Sequence, residues 1–356
     1  MATIKDVAKL AGVAPSTVSY ALSGKRRVSD ALRLRIEDAI TRLDFTPSQL
    51  GHNLRAGISG AIGLAFPLHD ALEGDLGIDF IAMAADTIRD QYTLSLLSGN
   101  WDGAELVGQF KQNRIDGLIL MQTAPEDARV DALRGSDYPF SMIGRCNDTE
   151  GLSFVDFDFE EAVFLLIEYV VSLGHKHVGV LDFSDEPEQQ LSYMQHARRG
   201  LARALETFEA DGLELHCVPS GNGGQAGYTA TQTLLTQAPD LTAIVTLTGM
   251  TQVGALRALY DAGKHVPEDC SLVALGATRA SHWILPRLTT VEIPLAEMGR
   301  LGANLVMDAI RDAQQSSGQS RKPMQHLLEP QVQVYESSCP PRPSSWLVGA
   351  AASSND

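Results

Sequence analysis

The chain has 356 residues, of which 44% are hydrophobic and 20% charged, and a formal net charge of −16. That length exceeds what one hydrophobic core spans, so two or three globular domains are expected. The longest apolar stretch, residues 162–171, is interrupted by Glu168 and too short for a bilayer, and the first residues lack a signal-peptide apolar run; a cytoplasmic protein with no membrane partner is the expectation.

The charge is segregated. Residues 1–60 hold nine Lys/Arg against five acids, a net +4 that leaves −20 on the remainder. A basic head on an acidic body concentrates phosphate attraction at one end. In that head, Thr3 and Asp6 have the spacing of a capping box opening a first helix, with Ile4, Val7, Ala8 and Ala11 on one face and Gly12 as its terminator. After Val13 a second short helix is predicted, with Pro15 in its first turn and Val18 and Leu22 turned inward. Ser29 caps a third, whose apolar stripe is Leu32, Ile36, Ile40 and Leu43. A small residue at the crossing, a tight turn and an aliphatic seam are what a helix-turn-helix requires.

Residues 3–13, 16–22, 45–48 and 53–55 together resemble the headpiece of the LacI/GalR family of transcriptional repressors. The resemblance implies that the second helix enters the major groove, with Pro15, Ser16 and Tyr20 at base-reading places and Thr17, Ser19 and Ser23 facing phosphates. Thr3, Lys5, Asn53 and Arg55 complete the implied DNA contacts. Ala14 stands where a capping Ser is usual, and Pro15 offers no side-chain hydrogen bond, which moves direct readout onto Ser16 and Tyr20. Residues 47–59 correspond to a hinge that folds on DNA, with Leu54 as the apolar wedge at a central minor-groove step. Gly51 weakens that helix, which predicts a hinge more disordered without DNA than is usual for the family.

From residue 60 onward β-rich runs alternate with helical ones. Strands are predicted at 61–66, 92–97, 117–121, 140–143, 152–156, 177–181, 214–218, 243–247, 272–275 and 288–293. Helical stretches include 78–89, 104–113, 160–173, 198–208, 226–237 and 254–262. This alternation means parallel, doubly wound sheets, and the number of strands suggests two lobes. The fold class is therefore an all-α helix-turn-helix headpiece followed by a two-lobed α/β core, which the resemblance describes as periplasmic-binding-protein-like. The domain boundaries expected are 1–46 for the headpiece, 47–59 for the hinge, 60–337 for the core and 338–356 for a disordered Pro/Ser/Ala-rich tail.

Ligands of such sheets sit beyond the carboxyl ends of the strands, here in the cleft between lobes. Gln122, Arg145 and Asp158 at strand ends, with Asp75 and Tyr193 on adjoining loops, are the candidate effector-binding residues; an interlobe salt bridge with Asp158 or a neighbour is the alternative role for Arg145. Trp283 is assigned to the core. The pocket departs from sugar- and purine-binding members of the family, since Ala197, Thr248-Gly249 and Gly276 replace an arginine, an Asn-Asp pair and an acid. Cys146, Cys217, Cys270 and Cys339 form no Cys-x-x-Cys pair and no His stands at metal-ligand spacing, so neither metal nor cofactor is expected. The Gly-rich run 220–227 lacks the Gly-Lys-Ser/Thr ending of a phosphate cradle and reads as a surface loop opening a helix. Ser184, Asp185 and His175 lack a nucleophile elbow, which argues against an enzyme. The function implied is a homodimeric repressor of a palindromic operator in double-stranded DNA, modulated by a small-molecule effector; the alternative is a DNA-binding regulator or architectural protein without an effector.

Overall fold

Residues 1–59 form one compact unit, built on the apolar seam of three short helices. The structure is a computed structural model that describes residues 2–23, 28–45, 58–66, 77–184, 191–276, 283–315 and 322–342. Helix α1 (Ile4–Ala11) starts where the backbone N–H and hydroxyl of Thr3 donate to the Asp6 carboxylate at 2.9 and 2.7 Å. It stops at Gly12, whose φ of +66° is a conformation glycine adopts without strain. Helix α2 (Pro15–Ser23) and helix α3 (Asp30–Arg42) close on α1 through Val7, Ala8, Ala11, Val18, Ile36 and Ala39. Arg35 reinforces the turn, its guanidinium donating to the Ala11 carbonyl.

The second unit, residues 60–356, contains two six-stranded sheets. The first lobe takes β1 (Ala61–Ala65), α4 (Gly77–Ile88), β2 (Thr93–Leu97), α5 (Gly103–Lys111), β3 (Gly117–Met121), α6 (Ala128–Arg134), β4 (Phe140–Ile143) and β5 (Phe154–Phe157). The chain then crosses to the second lobe with α7 (Phe159–Ser172), β6 (His177–Asp182), α8 (Ser192–Phe208), β7 (Glu214–Pro219), α9 (Gly224–Gln237), β8 (Ala243–Thr246), α10 (Thr251–Asp261), β9 (Ser271–Leu275) and β10 (Thr289–Val291). It returns with α11 (Leu295–Gln314) and β11 (Gln325–Leu328), and crosses last into β12 (Val332–Gln333). The sheet orders are β11-β5-β4-β3-β1-β2 and β12-β10-β9-β8-β6-β7. All their pairings are parallel except β10 with β12.

Both sheets are covered on two faces, which is why β3 and β9 are buried at every residue. In the first lobe α11 and α4 cover one face, while Leu106 and Phe110 of α5 and Leu133 of α6 cover the other. Glycine permits the closest approach: a Cβ at Gly302 of α11 would stand 2.7 Å from Ile143, and the Ser141 hydroxyl donates to the Gly302 carbonyl at 2.9 Å. Helices α7 and α8 cover one face of the second sheet, and α9 and α10 the other.

Three sequence expectations change here. Trp283 is 89% exposed, so it is not core; it follows a stretch outside the described residues and its ring meets solvent. The expected disordered tail is fixed at its start: the Cys339 carbonyl accepts from the buried Ser271 hydroxyl at 3.0 Å and lies 2.9 Å from His175 Nε2, while Arg342 pairs with Asp269 at 2.7 Å. Residues 343–356 lie outside the described residues, as do residues 46–57, which hold most of the expected hinge 47–59 with Asn53, Leu54 and Arg55. The third change concerns metals. Strand register sets His177 opposite Glu214 and Gly179 opposite His216, bringing His177, Glu214 and His216 within 4.8 Å of one another. This juxtaposition across two strands has no spacing signature in the sequence. The cluster sits at the amino ends of β6 and β7, the end opposite the cleft, and His177 Nδ1 meets Glu214 Oε2 at 3.2 Å as an ordinary partly exposed pair. Among the described residues, no helix is long and apolar enough to cross a membrane.

Candidate nucleic-acid interface and interlobe cleft

Helix α2 buries Val18 completely, and the rotation of a helix then fixes what faces outward. Pro15, Ser16 and Tyr20 are exposed, Ser16 and Tyr20 four residues apart on one face, with Thr17 and Ser19 half-buried beside them. The first turn of α2 carries no acid, so its partial positive end is not neutralised by the chain itself. Thr3 and Lys5 are exposed on α1, as is Lys9. Of the basic residues on α3, Arg33 and Arg42 are held in exposed ion pairs with Glu37 and Asp38. The structure thus brings together Thr3, Lys5, Pro15, Ser16, Thr17, Ser19 and Tyr20 on one small unit. The side chain of Ser23 and all of Asn53, Leu54 and Arg55 lie outside the described residues.

The second site is a cleft of about 1180 Å³, including its open mouth, at the carboxyl ends of the strands of both sheets. Phe66, Met121 and Ile143 come from the first lobe, and Phe183, Leu247 and Leu275 from the second. Phe159 and Tyr193 form an aromatic wall, their ring centroids 5.2 Å apart, with Phe183 edge-on to Tyr193 at 5.5 Å. Gln122 lines the cleft in a left-handed conformation, φ +50°, rare for a residue with a Cβ.

Of the sequence candidates, Gln122, Arg145 and Tyr193 line this cleft, and Asp75 lies outside the described residues. Asp158 does not line it. Its carboxylate turns back to cap α7, accepting from the Glu161 N–H at 3.1 Å, because it stands one residue before the first residue of that helix. Arg145 pairs with a neighbour of Asp158, Asp156, whose Oδ2 lies 3.3 Å from Arg145 Nε, and the pair lies within the first lobe rather than between lobes. Asp156 is 2% exposed; burial pushes its carboxyl up to about 7, against the opposing pull of Arg145 and of the Phe157 N–H. Arg145 Nε also donates to His196 Nε2 at 3.3 Å, across from the first lobe to α8 of the second. Burial, with Arg145 and Arg199 adding to it, lowers His196 to about 4, so it is neutral at physiological pH.

Asp156 and His196 escaped the sequence reading. Asp156 is the last residue of the predicted strand 152–156, so its place at the carboxyl end of a strand was a usable signal. His196 had none, because its partner is 51 residues away. The Gly-rich run does open α9, as a loop, yet Asn222 and Gly223 of it reach the cleft. Ala197 is fully buried, and the next residue, Arg198, is committed to Asp182 at 2.9 Å. Thr248, Gly249 and the Leu275 end of β9 line the cleft without a carboxylate. His175 is held by Thr242 and the Cys339 carbonyl, so it is no partner for Ser184.

Comparison with known proteins places both parts. Residues 3–48 match bacterial regulatory proteins of the lacI family, and residues 167–338 match a periplasmic binding protein-like domain. The HTH-type transcriptional repressor PurR of Edwardsiella ictaluri (strain 93-146) is 26% identical over 333 residues, covering 87% of this chain and 91% of PurR. Catabolite control protein A of Priestia megaterium is 25% identical over 315 residues, covering 85% of this chain and 91% of its own length. The Lac repressor dimer bound to operator and the anti-inducer ONPF superposes with a TM-score of 0.77 at 20% identity, over 95% of this chain and 99% of that one. That last likeness is one of fold.

Proposed function

We propose, from the premise that this chain belongs to the lacI family of bacterial regulatory proteins, that it is a sequence-specific transcriptional repressor whose grip on DNA is set by a small molecule in the interlobe cleft. The observation that carries the reading is the outward face of α2. Ser16 and Tyr20 stand exposed on a unit of net positive charge, while the rest of the chain is strongly acidic. A helix presented in this way enters a major groove, and the acidic body keeps DNA at the headpiece.

In this mechanism Ser16 and Tyr20 read base edges. Thr3, Lys5, Thr17, Ser19 and Ser23 hold phosphates and fix the register of α2. Two copies of the chain place two headpieces on a palindrome, and Asn53, Leu54 and Arg55 fold against the minor groove between them, Leu54 opening a base step. The cleft acts through its two lobes: a ligand that prefers one lobe arrangement changes DNA affinity by its difference in affinity for the two. Gln122, Arg145 and Tyr193 are the effector contacts that the geometry supports. The absence of charged groups at Ala197, Gly249 and Gly276 favours a second reading, a repressor without an effector.

Selection of bound fragments from a random duplex library, at near-physiological salt, tests the first claim. Enrichment of a palindrome with a flexible central step is the expected result; salt-sensitive binding with no enriched sequence contradicts it.

A further inference from the structure

The described lining of the cleft is mostly hydrocarbon. Phe66, Phe159, Phe183 and Tyr193 present ring faces or edges, and Met298 adds a thioether. Over the ring faces a polyhydroxylated ligand leaves hydroxyls unpartnered, whereas an aromatic or branched body does not; Gln122, Thr123, Asn222 and Thr248 supply the neutral polar groups of the described lining. One ion pair, Arg145 with Asp156, interrupts the apolar surface. Arg145 has a largely buried side chain, and its Nε is engaged by Asp156 and His196. Its two terminal nitrogens make no hydrogen bond to another described residue. A guanidinium whose terminal nitrogens keep their hydrogen-bonding capacity is matched by the two oxygens of a carboxylate.

We propose that the effector is a small amphiphilic carboxylate, its apolar body between the aromatic walls and its single carboxylate on the terminal nitrogens of Arg145. The proposal rests on the reading of the cleft as an effector site and specifies its ligand. It also supplies a route for coupling, because Arg145 belongs to the first lobe while its Nε contact, His196, belongs to the second. An anion that reorients the guanidinium alters a contact between lobes.

Asp156 competes with the ligand for the same cation. The charged and titratable groups that act on Asp156 are Arg145 and Asp158, and His196 contacts the same guanidinium. His196 is neutral, so the competitor for Arg145 is Asp156 itself. Protonating Asp156 frees Arg145, and a ligand carboxylate remains ionised at that pH. Carboxylate affinity therefore rises as pH falls through about 7.

The test is calorimetric titration of the full chain with 3-phenylpropionate, 3-phenylpropionamide and glucose, at pH 6 and at pH 8. The acid is expected to bind roughly 10-fold or more tightly than its amide, the margin of a charge-assisted hydrogen bond, and more tightly at pH 6. Arg145→Gln should abolish the preference for the acid, and Asp156→Asn, which keeps the shape, should remove its pH dependence. Binding of glucose with no binding of the acid overturns the ligand class but keeps the cleft as an effector site. Equal affinity for acid and amide overturns the role of Arg145. If none of the three binds, at concentrations where the headpiece still retains DNA, the proposed ligand class falls.

Discussion

Tyr20 and Lys5 sit on neighbouring helices of one small unit, yet in the proposed DNA interface their chemistry suits them to different work. Tyr20 has a flat ring with one hydroxyl on the exposed face of α2, and Lys5 is a point charge that cannot tell one base from another. Tyr20→Ala is therefore predicted to cost about 1–3 kcal/mol against the preferred sequence and little against a scrambled one. Lys5→Ala should weaken both alike and reduce the slope of log affinity against log salt by about 1. Fluorescence anisotropy with the two duplexes at several salt concentrations separates these outcomes. Asp156 carries a prediction about stability rather than binding. Its carboxyl titrates near 7 in the fold against an ordinary value of 3.8, so across that window the folded chain holds a proton that the unfolded chain has lost. The contribution is complete below pH 3.8 and is lost as pH rises through about 7. Denaturant midpoints between pH 5 and pH 8 should fall with pH in the wild type and fall less steeply in Asp156→Asn.

Among elements, what the sequence made legible was what local patterning controls. The stripe of Val7, Ala8 and Ala11 and the glycine stop at Gly12 defined α1 closely. The fully apolar runs around Leu118 and Leu272 marked buried strands. Local pattern predicts one long strand at 288–293 and assigns no element to the residues of α11, β11 and β12. Gly299 and Gly302 explain the miss in α11: they weaken its local propensity, and only the packed structure shows that Phe80 and Ile143 occupy the space a Cβ would need. Gly302→Val should push α11 off β4 and cost about 1–3 kcal/mol by overpacking, read as a lower melting temperature of the core. Strands β11 and β12 are short edge strands, exposed in part along β11 and half-buried in β12, defined by their neighbours more than by their composition. The cleft divided in the same way. Gln122 and Arg145 follow strands, so topology alone put them at the site. Asp156 and His196 were joined to Arg145 only by pairing across the sheet and between the lobes.

At the scale of the molecule, the division of charge and the division of fold coincide. The positive excess lies within residues 1–60, and the compact unit bearing the three helices ends at Ser59. Nucleic-acid attraction is thereby confined to the part that presents Ser16 and Tyr20, while the two-sheet unit supplies a cleft whose walls come from both lobes. The most direct test of a sequence-specific regulator is the ratio of two affinities of the full chain, for the enriched palindrome and for a scrambled duplex of equal length. At near-physiological salt a ratio of about 10³ or more is predicted, the range separating specific from non-specific sites. Equal affinities for the two duplexes would contradict the account, because they would leave only charge, and nothing for the exposed face of α2 to read.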